Sequence, residues 1–163
     1  MSNLIIVEGT DCAGKTTFIQ EVLVPKTGAE VVKHSKPNVD PSLYFSPVID
    51  RARAGEKIIC DRHLIGERVY AKVKKTPSEW REGEYERMLG DLNELHATLI
   101  LIWEYKPTLE HRFDTRGETF VNKKEMWQAQ NLFKKEFKRL AKLYPNITFL
   151  TWKQTTNTIR LLK

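Results

Sequence analysis

The segment Gly9-Thr10-Asp11-Cys12-Ala13-Gly14-Lys15-Thr16 sets two glycines around four other residues and follows the second with a lysine and a hydroxyl. A loop of this composition can turn its backbone N–H groups inward around a phosphate, because glycine permits the backbone angles that such wrapping requires. Lys15 then supplies a point charge for β and γ phosphates, Thr16 a hydroxyl that can ligate Mg²⁺, and Thr17 a further hydroxyl contact. The motif needs a strand before it and a helix after it, so that the helix presents its positive N-terminal end to the anion. Both are predicted: Leu4-Ile5-Ile6-Val7 is an apolar run ending at Glu8, and Lys15 to about Val24 reads as a helix. ATP and Mg²⁺ are the cofactors this chemistry implies.

A second acidic group stands at the end of another apolar run, where Asp61 follows Lys57-Ile58-Ile59-Cys60 and Arg62 follows Asp61. A carboxylate beside the phosphate loop can hold the Mg²⁺ shell through water, and Arg62 points into the same cleft. Tyr44, Phe45, Trp80 and Tyr85 are candidates to sandwich a base, with the core as their alternative destination. Glu67 and Tyr70 lie one helical turn apart after Gly66, which could set them on one cleft-facing side as a sugar reader and a ring wall. His34, His63, His96 and His111 have no metal-ligand spacing, so zinc is not expected.

The elements that must position these groups alternate along the chain. Strands are predicted at Leu4 to Val7, Glu30 to Lys33, Lys57 to Cys60, Ala97 to Trp103 and Ile147 to Thr151. Helices are predicted at Ser42 to Ala54, Ser78 to Leu95, from Pro107 until a polar stretch at Asp114 to Asn122, at Lys123 to Leu143, and at the C-terminal end. This pattern implies an α/β three-layer sandwich, a five-stranded parallel sheet with helices on both faces and ligands at the carboxyl ends of the strands. Glu8, Asp61 and Trp103 all fall at that edge.

With 163 residues, 40% hydrophobic and 29% charged, one domain over residues 1–163 is expected, without repeats or biased tracts. The apolar run Ala97 to Trp103 is too short to cross a membrane, and Met1-Ser2-Asn3 has no signal-peptide character, so a cytoplasmic protein without a membrane partner is expected. Cys12 and Cys60 would be reduced thiols. The net charge of +6 suits an anionic ligand or a nucleic-acid surface. Lys123, Lys124, Lys134, Lys135, Lys138 and Lys142 share one predicted helix with Phe133, Phe137 and Leu140, which reads first as a solvated face opposite a core stripe.

Glu8-Gly9-Thr10-Asp11-Cys12-Ala13-Gly14-Lys15-Thr16-Thr17 together with Asp61-Arg62-His63 resembles thymidylate kinase and its small relatives among the deoxynucleotide P-loop kinases. Asp61-Arg62-His63-Leu64-Ile65-Gly66-Glu67-Arg68-Val69-Tyr70 is also similar to a segment of small, often phage-encoded, thymidylate-kinase-like members. Deoxynucleoside kinases carry Asn where this chain has Asp11, and Glu-Arg-Ser at the strand end. The resemblance therefore implies ATP- and Mg-dependent phosphoryl transfer to a deoxynucleoside monophosphate, thymidylate first. It implies that Asp11 approaches the acceptor sugar hydroxyl, Arg62 holds the acceptor phosphate, and Asp61 lies near the transferred group or its Mg²⁺. Where some members have a loop arginine, this chain has Cys12, so a cation must come from a short LID at about 112–122, where Arg112 and Arg116 precede Gly117 and Arg116 is the first choice. Lys15, Asp61, Arg62, Arg112 and Arg116 are thus the candidate catalytic residues, and Glu8, Asp11, Tyr44, Arg62, Glu67 and Tyr70 line the acceptor. Val32 to Asn38 stands where relatives carry an arginine-containing E-P-G segment.

Other readings stay open: a kinase of nucleosides or of a hydroxyl within DNA, and a regulator that binds ATP without transferring phosphate. A homodimer is also open, with Trp103 to Tyr105 as a candidate contact.

Overall fold

The computed structural model describes residues 2–33, 39–62, 64–117 and 120–162. The strands are β1 (Leu4–Glu8), β2 (Glu30–Lys33), β3 (Ile58–Asp61), β4 (Thr98–Ile102), β5 (Thr148–Lys153) and β6 (Thr158–Leu161). They form one sheet in the order β2-β3-β1-β4-β5-β6. All neighbours run parallel except β6, which pairs antiparallel with β5 from Leu150 opposite Leu161 to Lys153 opposite Thr158.

The central strands are buried on both faces, and the period of two sorts their side chains. Leu4, Ile6, Ile58, Cys60, Leu99, Leu101 and Phe149 pack on one side with α3 (Ser42–Arg53), α4 (Leu64–Lys74), α5 (Glu84–Glu94) and α7 (Lys123–Leu143). Ile5, Val7, Ile59, Ile100, Ile102 and Trp152 pack on the other, against the helical run after the phosphate loop and α6 (Lys106–Arg116). In α7, Met126, Phe133, Phe137 and Leu140 are buried, and a capping box sets its start: Asn122 accepts from the Glu125 amide while the Glu125 carboxylate accepts from the Asn122 amide.

The predicted five-stranded sheet gains a sixth strand, because the expected C-terminal helix is β6. A 3₁₀ turn at Gln154–Thr156 and Asn157 at φ 46° reverse the chain, and Thr158 to Leu161 then pairs with β5. The helix expected at Ser78 to Leu95 starts only at Glu84, because Gly83 at φ 78° turns the chain there. Upstream, the Glu67 carboxylate takes the Ser78 hydroxyl and the Glu79 amide, which holds that segment in a turn. The helix after the phosphate loop is three pieces, α1 (Lys15–Phe18), a π-helical stretch at Ile19–Leu23 and α2 (Val24–Thr27). Helix α6 runs on through Asp114 to Arg116, so the first part of the expected LID is helical and ends at Gly117 with φ 67°. His34 to Asn38, His63, Glu118 and Thr119 lie outside the described residues.

Candidate active site

The carboxyl ends of β1, β3 and β4 converge beside the loop from Gly9 to Gly14. Gly9 has φ +147°, and a Cβ there would lie 2.3 Å from the backbone oxygen of Ile102, so the loop leaves the sheet by a path only glycine can take. Gly14 has φ +97°, and a Cβ would meet the Gln154 side-chain oxygen at 2.7 Å. Cys12 also has a positive φ of 63° and is buried in the apolar cluster under the loop. The Thr10 hydroxyl donates to the Met126 carbonyl at 3.2 Å, which ties the loop to α7.

Lys15 is buried and lies across this loop, its Nζ donating to the carbonyls of Gly9 at 2.7 Å and Thr10 at 2.8 Å. Burial, followed by the nearby Arg62 charge, pulls its pKa down to about 8 against the opposing pull of Asp11, Asp61 and Glu8. Thr16 is exposed and Thr17 half-buried at the start of α1. The backbone of Gly9, Thr10, Asp11, Cys12, Ala13 and Gly14 thus runs beside the Lys15 ammonium, which two of its carbonyls hold.

Three groups from three elements meet on one flank of the loop. The Asp11 carboxylate pairs with Arg62 Nη2 at 2.9 Å and accepts from the Tyr70 hydroxyl at 3.2 Å, while the Asp11 amide donates back to that hydroxyl at 3.2 Å. Tyr70 comes from α4, Arg62 from the end of β3 with φ 75°. Burial, then the Asp11 charge, raises the Tyr70 pKa, so it remains a neutral donor. Asp61 is buried, with Lys33 Nζ 3.8 Å from its Oδ2. Among the described residues, Asp61 Oδ1 and Arg62 Nε are buried without a hydrogen-bond partner. A buried polar atom left open in this way is costly unless something polar fills the space beside it.

Arg112, on α6, reaches the other flank. Its Nη1 donates to the Cys12 carbonyl at 3.1 Å, and Nη2 lies 3.8 Å from the fully buried Glu104 carboxylate. Burial pushes the Glu104 pKa upward, but hydrogen bonds from Thr155 and the Tyr105 amide, with the Arg112 charge, outweigh it and keep the group ionised. Gln130 brackets Glu104, accepting from its amide at 3.0 Å and donating to its carbonyl at 2.8 Å. Arg116, by contrast, is exposed at the end of α6 and makes no ion pair or hydrogen bond among the described residues.

Other candidates have different surroundings. Glu8 is buried, and its Oε1 accepts from the amides of Ile65 at 2.8 Å and Gly66 at 3.4 Å, so it caps the start of α4. Glu67 is committed to Ser78 and Glu79. Phe45, Trp80 and Tyr85 belong to the core, with Trp80 stacked on Phe45 and edge-on to Tyr85. Tyr44 is half-buried in the first turn of α3, next to Phe45. The site also holds groups not singled out from the sequence: Lys33, Glu104, Gln130, Gln154 and Thr155. Glu104 alone carried a signal, since it follows an apolar strand closely, as Asp61 does.

The strand order, the loop after β1 and the enclosing helices give the chain the fold of the P-loop nucleotide kinases. Three solved structures share it: the YorR protein from Bacillus subtilis in complex with phosphorylated GDP (TM-score 0.70, 20% identity, 92% of this chain and 85% of that one); deoxyadenosine kinase from M. mycoides with bound dATP (0.59, 18%, 94% and 91%); and thymidylate kinase from Candida albicans (0.60, 13%, 98% and 97%). No protein-family model and no curated protein matches the sequence. Among the described residues, no helix is long and apolar enough to cross a membrane.

Proposed function

We propose that this chain transfers the γ-phosphoryl group of Mg-ATP to a deoxynucleoside monophosphate, with thymidylate the favoured acceptor. The observation that carries the reading is the Asp11–Tyr70–Arg62 cluster set against the phosphate loop. It gives one flank of the donor site a fixed carboxylate for a sugar hydroxyl and a guanidinium for an acceptor phosphate. A protein that only bound ATP would have no use for that second clamp. The likeness in fold to a deoxyadenosine kinase and a thymidylate kinase supports the same class of reaction.

The residues fit Mg-ATP. Asp61 Oδ1 is a buried, open acceptor of the kind a cation's shell satisfies, and the Thr16 hydroxyl is exposed beside the loop. Thr16 and Asp61 would hold the ion, which when bound supplies charge neutralisation at the phosphates. Lys15, whose ammonium now donates to the Gly9 and Thr10 carbonyls, is the cation for the phosphate charge. Asp11 accepts a hydrogen bond from the acceptor sugar, and Tyr70 keeps that carboxylate aimed. Arg62 has a buried Nε open toward a second anion while its Nη2 remains on Asp11. Arg112 donates to the Cys12 carbonyl, at the position where some thymidylate kinases carry an arginine in the loop itself. Planar guanidinium suits the charge spread over the equatorial oxygens of a transferring phosphoryl group.

The test is ADP release from Mg-ATP with a panel of deoxynucleosides and their monophosphates, using Lys15→Ala as the blank. Turnover with a monophosphate, lost in the blank, is the expected result. Turnover confined to nucleosides would keep the donor site and reassign the acceptor, and equal turnover by Lys15→Ala would overturn the scheme.

A further inference from the structure

Helix α7 carries its acidic groups already spent. Glu125 pairs with Lys74 at 2.8 Å and takes part in the capping box, and Glu136 pairs with Arg139 at 2.7 Å and accepts from the Tyr85 hydroxyl at 3.0 Å. Lys134, Lys135, Lys138 and Lys142 have no carboxylate partner among the described residues. Lys134, Lys138 and Lys142 follow one another at four-residue steps, so they form a single stripe about 12 Å long on one side of the helix. Lys135, Lys138, Arg139 and Lys142 line a shallow groove with Leu143, whose side chain is exposed.

The upper end of this stripe meets an aromatic cluster. Lys134 Nζ lies 3.8 Å from the centroid of Trp103, Lys153 Nζ lies 4.8 Å from the same ring and 3.8 Å from that of Tyr105, and the two rings meet edge-on at 5.7 Å. Tyr105 is 49% exposed. Burial, followed by the charges of Lys138 and Lys153, lowers the Lys134 pKa. The cluster also borders the phosphate loop: Glu104, between the two aromatics, reaches Thr155 and Arg112, and Gln154, next to Lys153, sits against Gly14.

We propose that Trp103 and Tyr105, braced by the buried Lys153, form with the α7 stripe Lys134, Lys138 and Lys142 a binding surface for single-stranded nucleic acid. A row of unbalanced lysines tracks a phosphate backbone, and the exposed Tyr105 ring at its end, backed by the half-buried Trp103, offers a stacking face that unpaired bases can use and a duplex cannot. A free mononucleotide would need no stripe of this length. The surface is independent of which acceptor the catalytic site takes.

Fluorescence anisotropy of a labelled oligo-dT of about 20 nucleotides with the full chain tests this. Three lysine contacts predict a salt slope of about −2, so affinity should fall about 20-fold between roughly 50 and 200 mM salt. The triple variant K134Q/K138Q/K142Q should bring the slope close to zero, so that its remaining affinity changes by less than about twofold over the same range. Tyr105→Ser, on an exposed ring, should weaken binding about fivefold or more with the slope unchanged; Trp103→Leu should do the same, with its melting curve as the check on folding. Absence of binding at the lower salt, a triple variant that binds as wild type does, or equal affinity for a duplex with no effect of Tyr105→Ser would each overturn the proposal.

Discussion

Replacing Tyr70 by Phe removes one oxygen from the acceptor flank and leaves its ring in place. That hydroxyl makes two contacts with one residue, accepting from the Asp11 amide and donating to the Asp11 carboxylate, both at 3.2 Å. Hydrogen bonds to a charged group contribute about 1.5–3 kcal/mol, and at this length the lower end applies. Arg62 still holds the other carboxylate oxygen at 2.9 Å, so Asp11 loses its aim without being released. About 1.5–2 kcal/mol then corresponds to a roughly ten- to thirtyfold fall in kcat/KM for the acceptor. The ring keeps its edge contacts with Phe120 at 5.6 Å and Phe133 at 6.2 Å, so global stability should fall by only about 1–2 kcal/mol. The assay is coupled ADP release with the acceptor varied at saturating ATP, then ATP varied at saturating acceptor. The KM for ATP should change less than that of the acceptor, since the hydroxyl meets the loop itself only at the Asp11 amide and the Thr10 side chain. Acceptor kcat/KM within about twofold of wild type, or an equal rise in both KM values, would refute the assignment of Asp11 to the acceptor.

Three further outcomes follow from the same geometry. Lys15 must be protonated to meet a phosphate, and its pKa near 8 means that kcat/KM for ATP should fall as pH rises above about 8. A bound phosphate favours the charged form and raises that pKa, so kcat at saturating ATP should hold to higher pH and nucleotide binding above pH 8 should take up a proton, measurable by calorimetry in buffers of different ionisation heat. Arg112→Ala should lower kcat by about 10³-fold or more, whereas the exposed Arg116→Ala should change it by less than about tenfold; single-turnover kinetics distinguishes them, and the reverse ranking would return the role to Arg116. Gly9→Ala forces a Cβ to within 2.3 Å of the Ile102 oxygen where β1 and β4 are paired, and should cost about 3 kcal/mol or more, read as a fall of roughly 10 °C in Tm.

The apolar run before Gly9, the glycine-lysine spacing and the run ending at Asp61 were enough to place β1, the phosphate loop and β3, because each rests on local rules: buried parallel strands read as continuous apolar runs, and a loop around phosphate needs glycine at set positions. Helix α7 was equally legible from its apolar spacing. The C-terminal strand was not, since four residues at the end of a chain carry too little periodicity to separate strand from helix, and pairing with β5 decided it. Likewise Ser78 and Glu79 have good local reasons to begin a helix, yet a carboxylate eleven residues earlier, on Glu67, captures them. The same division runs through the site. Sequence alone determined that Lys15 closes the loop after β1 and that Asp61 and Arg62 stand at the end of another strand. Only the tertiary structure decided that the Tyr70 hydroxyl meets Asp11, that Glu8 accepts from the amides at the start of α4, and that Arg112 reaches the loop. Those assignments depend on which side chains from distant segments reach the same few ångströms, and that is fixed by how the helices pack on the sheet.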